Sequence, residues 1–385
     1  MHKILITTGI YPPDIGGPAS YAPTIAEHLS QHFDVSVLTY SAVWRHQADK
    51  AKPFKVIRVW KKIPRFIRHV LYLFCALNQV RNHDIVFSLN AVSAGVPALL
   101  AVRFFKRKFV VKVVGDYAWE MAINSNRTTL LINDFQKTNR TGWPGILHRL
   151  QIWVCRNASR IIVPSEYLAE IVTGWGIERE KITVIYNGVD FAPLTMTKEE
   201  ARKHIGIPGN IITSIGRMVP WKGFRMLIKI MPQLLQVNQF FRLVIVGDGP
   251  EYSTLQSMIK NLGLDRKVYL VGKKNREDLA LYLAATDIFV LNTGYEGFSH
   301  QILEAFSAGV PVITTAVGGN REIIEQGENG FMVKYNDEFN LIEAIKTLWR
   351  VPELREKFSE NGKKTIKDFD VEAMLNETEK LIESL

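Results

Sequence analysis

Glu296 and Glu304, with seven residues between them, bracket the segment richest in chemical groups: Glu296-Gly297-Phe298-Ser299-His300-Gln301-Ile302-Leu303-Glu304-Ala305. The apolar run Ile288 to Leu291 ahead of it reads as a strand. Ser299 is an N-cap residue type, and a helix is predicted from there to about Ala308, where Gly309 stops it. Glu296 then lies in a loop and Glu304 in the second helical turn, so both can face one crevice. A phosphate at the Ser299 end would meet free N–H groups and the positive helix terminus, with two carboxylates left to hold hydroxyls. Paired carboxylates also serve glycoside hydrolysis, and spacing along a chain fixes no distance between them. An exposed glutamate at a helix start plus an ordinary helix glutamate is the plainer alternative.

Two further segments carry anion-binding types. In Gly216-Arg217-Met218-Val219-Pro220-Trp221-Lys222-Gly223, at the end of another strand, Arg217 offers a rigid fork and Lys222 a point charge, a pairing suited to adjacent phosphates. The bland alternative is two solvated charges. The first loop, Gly9 to Pro18, lacks the Gly-x-Gly-x-x-Gly spacing of a dinucleotide site, which argues against an oxidoreductase. Gly16 and Gly17 still allow backbone N–H groups to approach a phosphate, although a glycine turn accounts for them equally well. No compact His, Cys or Asp cluster suggests a metal, and none is expected.

Stepping outward, 385 residues are too many for one ordinary core and imply two domains of roughly 200 residues or fewer. Strands are predicted at Ile4 to Thr7, Val35 to Thr39, Ile85 to Leu89, Phe109 to Val114, Arg160 to Val163 and Ile182 to Ile185. The second half repeats the pattern at Ile211 to Ile215, Arg242 to Val246, Lys267 to Val271, Asp287 to Leu291 and Val310 to Thr314. Helical segments such as Ser20 to Gln31 alternate with them, which predicts two doubly wound parallel-sheet α/β domains in tandem. Such sheets bind ligands at the carboxyl ends of their strands, so the crevice between the domains is the expected site. We place the first domain at residues 1–190, a polar linker at 191–210 and the second domain at 211–368. An amphipathic helix at 369–385 either packs on its own domain or crosses back.

Read together, these pieces resemble the family 4 retaining glycosyltransferases, which have the GT-B fold of two facing Rossmann-like domains and whose E-x7-E motif the 296–304 segment matches. Other family-like pieces follow in order: Val163-Pro164-Ser165-Glu166, Asn187-Gly188-Val189-Asp190, Gly247-Asp248-Gly249-Pro250-Glu251, Ala308-Gly309-Val310-Pro311-Val312-Ile313 and Gly318-Gly319. The resemblance covers nearly the whole chain and is densest from Gly216 to Val333. It implies a nucleoside-diphosphate sugar as donor, with Arg217 and Lys222 on the diphosphate, Glu304 on the ribose hydroxyls and Glu296 on the sugar. It puts the base against Val271-Gly272-Lys273, and pyrophosphate and sugar near Gly216, Gly297, Phe298, Ser299 and His300. The family often has Gly-Leu where this chain has Ser299-His300. The Gly16-Gly17 loop would close on diphosphate or acceptor. Asp116, in Val113-Val114-Gly115-Asp116-Tyr117, occupies the position where the family has a His or Asp of the catalytic site. Transfer to a hydroxyl with retention, without cofactor or metal, is the implied reaction. A sugar-nucleotide hydrolase or phosphorylase, or a non-catalytic nucleotide-sugar-binding protein, are the competing readings.

Charge is unevenly distributed. The net is +10, yet residues 1 to 190 hold 24 basic and 13 acidic side chains, or +11, and the remainder nets −1. Arg58, Lys61, Lys62, Arg65 and Arg68 lead into an amphipathic stretch, and Arg103, Lys106, Arg107 and Lys108 form a second cluster. Either the stretch is a core-packed helix with a solvated basic face, or residues 58–108 meet an anionic membrane beside a lipid-linked or polysaccharide acceptor. No nucleic-acid motif accompanies the charge. The longest apolar run, Ala91 to Val102, is too short to cross a bilayer, and the start of the chain has no signal-peptide pattern. Cys75 and Cys155 read as buried free thiols, and with them a cytoplasmic protein, peripheral on the membrane's inner face, is expected.

Overall fold

The computed structural model describes residues 2–14 and 17–385, so Gly16 lies outside the described residues. Contacts divide the chain into two compact units, residues 1–186 with 372–385 and residues 187–371. In the first unit the described strands are β1 (Lys3–Thr8), β2 (Asp34–Ser41), β3 (Lys55–Trp60), β4 (Ile85–Ser88), β5 (Lys108–Lys112), β6 (Arg160–Val163) and β7 (Ile182–Val184). They pair in parallel in the order β3-β2-β1-β4-β5-β6-β7. The second unit has β8 (Asn210–Ile215), β9 (Phe241–Val246), β10 (Val268–Leu270), β11 (Ile288–Leu291), β12 (Val312–Thr315) and β13 (Gly330–Val333), parallel in the order β10-β9-β8-β11-β12-β13. Helices cover both sheets, which is why central strands such as Ile4-Leu5-Ile6 and Ile288-Phe289-Val290-Leu291 are uniformly apolar and buried. In each sheet the chain reverses direction beside the first strand, between β1 and β4 and between β8 and β11. These switch points open a crevice at the strands' carboxyl ends.

The edge strands β3 and β13 escaped the sequence reading, since they are only half-buried and lack an unbroken apolar run. Residues 191–210 are not a free linker. Thr197 and Glu200 form a capping box that starts a helix at Lys198–Ile205, and Arg202 donates to Asp287 at 2.6 Å, tying that helix to the second unit. The boundary also moves earlier than Asp190. Val189 N–H donates to Phe369 O, and a Cβ on Gly188 would lie 2.5 Å from the Val371 backbone, so Asn187 to Asp190 belong with the second unit. The helix Val371–Glu383 packs on the first unit, where His28 Nε2 and His32 Nδ1 each lie 2.6 Å from a Glu379 carboxylate oxygen. Cys75 and Cys155 are free, and burial pushes the Cys155 thiol up to about 12.

The segment after β3 departs most from the core-packed reading. In the helix Arg65–Val80, Tyr72, Ala76 and Val80 form the buried face at four-residue spacing, while Ile67, Leu71 and Phe74 make an exposed stripe and Phe66 is 80% exposed. Among the described residues no helix is long and apolar enough to cross a membrane.

Candidate active site

In the second unit every candidate donor-site segment hangs from the carboxyl edge of the sheet. Gly216 and Arg217 follow β8, Val271-Gly272-Lys273 follows β10, and the 296–304 segment follows β11. Because β8 and β11 are neighbours, Lys222 and Glu296 come together from segments 74 residues apart in sequence: Lys222 Nζ lies 2.5 Å from Glu296 Oε2. Their side chains are 11% and 14% exposed, so this is a buried ion pair. Arg217 is exposed and makes no ion pair among the described residues.

Two close backbone approaches make that pairing possible. Lys222 ends a 3-10 turn, Pro220–Lys222, and Gly223 follows in the left-handed conformation at φ +59°, where a Cβ would lie 2.2 Å from Asn292 O. Only glycine lets the β8 loop press on the end of β11 this closely. Asn292, 1% exposed, then donates to Gly223 O at 3.1 Å, and Gly294 N–H donates to Trp221 O at 2.6 Å. On the other side Gly319 N–H donates to Glu296 O at 3.1 Å, and a Cβ on Gly319 would lie 2.4 Å from Gly297 O. The Gly318-Gly319 pair thus sets the path of the Glu296 loop. Thr293 and Thr315 complete it, Thr315 Oγ1 donating to Thr293 O at 2.6 Å and Thr293 Oγ1 to Tyr295 O at 2.7 Å.

Ser299 is the N-cap of the helix His300–Ser307, its Oγ accepting from Ile302 N–H at 3.3 Å. Gly297, Phe298 and Ser299 are buried, and His300 is half-buried at the first helical position. Glu304 follows in the second turn. Burial pushes its carboxyl up to about 7, with Arg276 pulling in the opposite direction, and no hydrogen bond reaches that carboxylate among the described residues. The β10 loop is tied in by Gly247 N–H, which donates to Gly272 O at 2.9 Å, while Lys273 stays exposed. Lys222 and Glu296 are thus paired ahead of the Ser299 helix end, with Arg217 and Glu304 on the same segments, a set of side-chain types suited to a diphosphate flanked by hydroxyls.

Sequence reading missed Asn292, Thr293, Thr315 and Arg276, which orient the site without contacting a ligand by type. Their signal was only position after a strand or in a helix.

The first unit treats its candidates differently. Gly17 opens the helix Gly17–Leu29 and is exposed. Asp116 is fully buried. It caps the helix Tyr117–Asn124 by accepting from Trp119 N–H at 3.1 Å, and it accepts from Gln136 at 2.7 Å and Gln151 at 2.9 Å. Three of its roughly four acceptor positions are used by these internal donors, which ties Asp116 into a polar network. His148 in that network is held down at about 4 by burial and by Arg140, whose guanidinium lies 2.6 Å from His148 Nε2. Among the described residues no three His, Cys, Asp or Glu side chains converge as a metal site.

Residues 197–365 match the family described as Glycosyl transferases group 1, and residues 15–193 match Glycosyltransferase Family 4. The chain is 26% identical over 252 residues to an N-acetylgalactosamine-N,N'-diacetylbacillosaminyl-diphospho-undecaprenol 4-alpha-N-acetylgalactosaminyltransferase of Campylobacter jejuni, covering 64% of this chain and 67% of that protein. It is 30% identical over 220 residues to a UDP-Gal:alpha-D-GlcNAc-diphosphoundecaprenol alpha-1,3-galactosyltransferase of Escherichia coli, covering 55% of this chain and 56% of that protein. Among solved structures, Anabaena HepE in complex with UDP and glucose superimposes with a TM-score of 0.82 at 20% identity, over 100% of both chains, a likeness of fold.

Proposed function

Since this chain belongs to the family 4 glycosyltransferases, with the two Rossmann-like sheets of the GT-B fold, we propose that it moves a hexose from a nucleoside-diphosphate sugar to a hydroxyl, with retention at the anomeric carbon. The observation that carries the reading is the Lys222–Glu296 pair at the β8–β11 switch point, beside the Ser299 helix terminus and the Glu304 carboxylate. In the proposed reaction the bond from the sugar carbon to the diphosphate oxygen breaks, and the bond to the acceptor oxygen forms. The acceptor proton passes to the leaving phosphate. Arg217, Lys222 and the helix end meet the charge developing on that phosphate, Glu296 meets the sugar, Glu304 the ribose, and no metal is required. Gly216, Val271, Gly272, Lys273, Gly297, Phe298 and His300 line the donor's path.

The acceptor we propose is a lipid-linked or polysaccharide glycan of the cell envelope, a reading supported by the diphospho-undecaprenol acceptors in the names of the Campylobacter and Escherichia relatives. The test is a thermal-shift panel with UDP, GDP and ADP, followed by product analysis. One nucleotide at 100 times its dissociation constant adds about 2.7 kcal/mol of stability. Free sugar or sugar phosphate as the only product would favour a hydrolase or phosphorylase, and a flat response to all three nucleotides would remove the transferase reading.

We also place the protein peripherally on the inner face of a membrane. The exposed stripe Ile67, Leu71 and Phe74 supplies apolar contact, and exposed basic residues from Lys62 to Lys108 supply attraction of about 1 kcal/mol each near anionic lipid, whereas Arg58 is buried in an ion pair with Asp49. Flotation with phosphatidylglycerol vesicles at low salt is expected and is lost in Phe66→Glu/Phe74→Glu. Equal flotation of the two proteins argues against the surface.

A further inference from the structure

The first unit contains a groove of about 560 Å³ that the donor chemistry does not use. It reaches the carboxyl edge of the sheet at Gly9 after β1, Tyr40 near the end of β2 and Ser93 after β4. From there it follows one face of the helix Arg65–Val80, taking in Arg65, His69 and Leu73 at four-residue spacing. Arg65 to Leu73 spans about 12 Å at the helical rise. The rest of the wall is apolar, with Val96 and Leu100 from the helix Gly95–Phe105 and Leu147 and Trp143 from the helix Gly142–Arg156.

Charge is confined to one end. Lys61, Arg65 and Arg68 surround the start of the helix Arg65–Val80, whose first turn holds no acidic residue and whose Pro64 cap supplies no side-chain acceptor. Among the described residues no Asp or Glu lines the groove. Arg65 has no ion pair among the described residues, whereas Lys61 pairs with Asp14 and Arg68 donates to Lys61 O at 2.7 Å. Tyr40 donates to Ser93 O at 3.1 Å and lies 2.7 Å from His69 Nδ1, which fixes the ring at this end. Burial, then Arg68 and Arg65, hold the His69 imidazole below its usual range, a repulsion that a bound anion relieves. The apolar wall is different in kind: Leu100 is 43% and Trp143 50% exposed, apolar surface facing water.

An occupant complementary to both ends has an anionic head and an apolar tail. We propose that this groove binds the lipid carrier of the acceptor, a long-chain phosphate or diphosphate ester. Its head lies over Lys61, Arg65 and Arg68 and the first part of its chain along Val70, Leu73 and Leu100. The head then rests at the sheet's carboxyl edge, where a doubly wound domain presents its ligands. The inference rests on the glycosyltransferase reading for its biological sense, but its binding chemistry stands apart from the donor site.

The probe is farnesyl diphosphate, used below its micellar concentration and compared with farnesol and with inorganic diphosphate by titration calorimetry on the full chain. Farnesyl diphosphate is expected to bind at least tenfold more tightly than either half-molecule. Leu100→Glu, on an exposed part of the wall, and Arg65→Glu, at the basic end, are each expected to weaken it at least tenfold. Inorganic diphosphate binding as well as the ester would mean an anion site alone and would overturn the proposal. Affinity kept in both variants would also overturn it, as would binding seen only when vesicles are present, which assigns the surface to bilayer contact. Stabilisation of the same protein by UDP reads the donor site separately: UDP binding without ester binding sinks only the groove, and the reverse sinks only the donor assignment.

Discussion

Lys222→Ala is expected to lower kcat about 10²- to 10³-fold, the effect of removing one preorganised donor aimed at a developing oxyanion. The side chain ends a tight 3-10 turn and is held in place by Gly223 against Asn292, so its ammonium does not need to reorganise as the leaving phosphate gains charge. Donor KM should change less than kcat, because the contact strengthens as the bond breaks. The pair with Glu296 adds a stability signature. Either single substitution, Lys222→Ala or Glu296→Ala, strands a buried charge, whereas the double variant removes both. Thermal midpoints should therefore fall further in each single variant than in the double, and the two effects on kcat should be markedly non-additive. A Lys222→Ala enzyme within threefold of wild-type kcat would show that the charge is handled elsewhere.

Donor affinity is expected to depend on pH through Glu304. With its carboxyl raised to about 7 by burial, it is mostly protonated at pH 6 and mostly ionised at pH 8. If the ionised form accepts the ribose hydroxyls, binding of UDP-glucose strengthens about tenfold between those pH values. A nucleotide sugar is the right ligand, since its diphosphate lacks the phosphate ionisation near 6 that would confuse a titration with UDP. Folding stability runs the other way. The folded chain keeps a proton that the unfolded chain has already released above about 4.5, so this group's contribution is present at low pH and is lost as pH rises through about 7. Glu304→Gln should flatten both slopes and weaken binding at pH 8. A wild-type dissociation constant independent of pH, or the same slope in the variant, would separate Glu304 from the ribose.

The two sites differ in how far the chain revealed them. The donor-side residues follow strands that are continuous apolar runs, and the 296–304 segment is flagged by locally readable devices, Ser299 as a cap and Gly309 as a stop. Such signals work within a few residues and so can be read in order along the sequence. Asp116 shows the reverse. Its motif position suggested catalysis, but its partners Gln136 and Gln151 lie 20 and 35 residues away, and only the packing of their helices reveals that the carboxylate is enclosed. Likewise 191–210 reads as a polar connection until Arg202 meets Asp287, 85 residues on.

The sequence by itself determined two doubly wound α/β units, the anion-binding character of the segments after β8 and β11, and a basic surplus in the first half. Periodicity and capping are local, and the E-x7-E spacing is short. Tertiary structure alone decided that Lys222 and Glu296 are paired, since β8 and β11 become neighbours only when the sheet reverses direction. It also decided which faces of the helix Arg65–Val80 are covered. Amphipathic spacing defines faces, but burial belongs to whatever packs against them, and here Phe66 and the Ile67, Leu71 and Phe74 stripe are left to water beside a basic-ended groove.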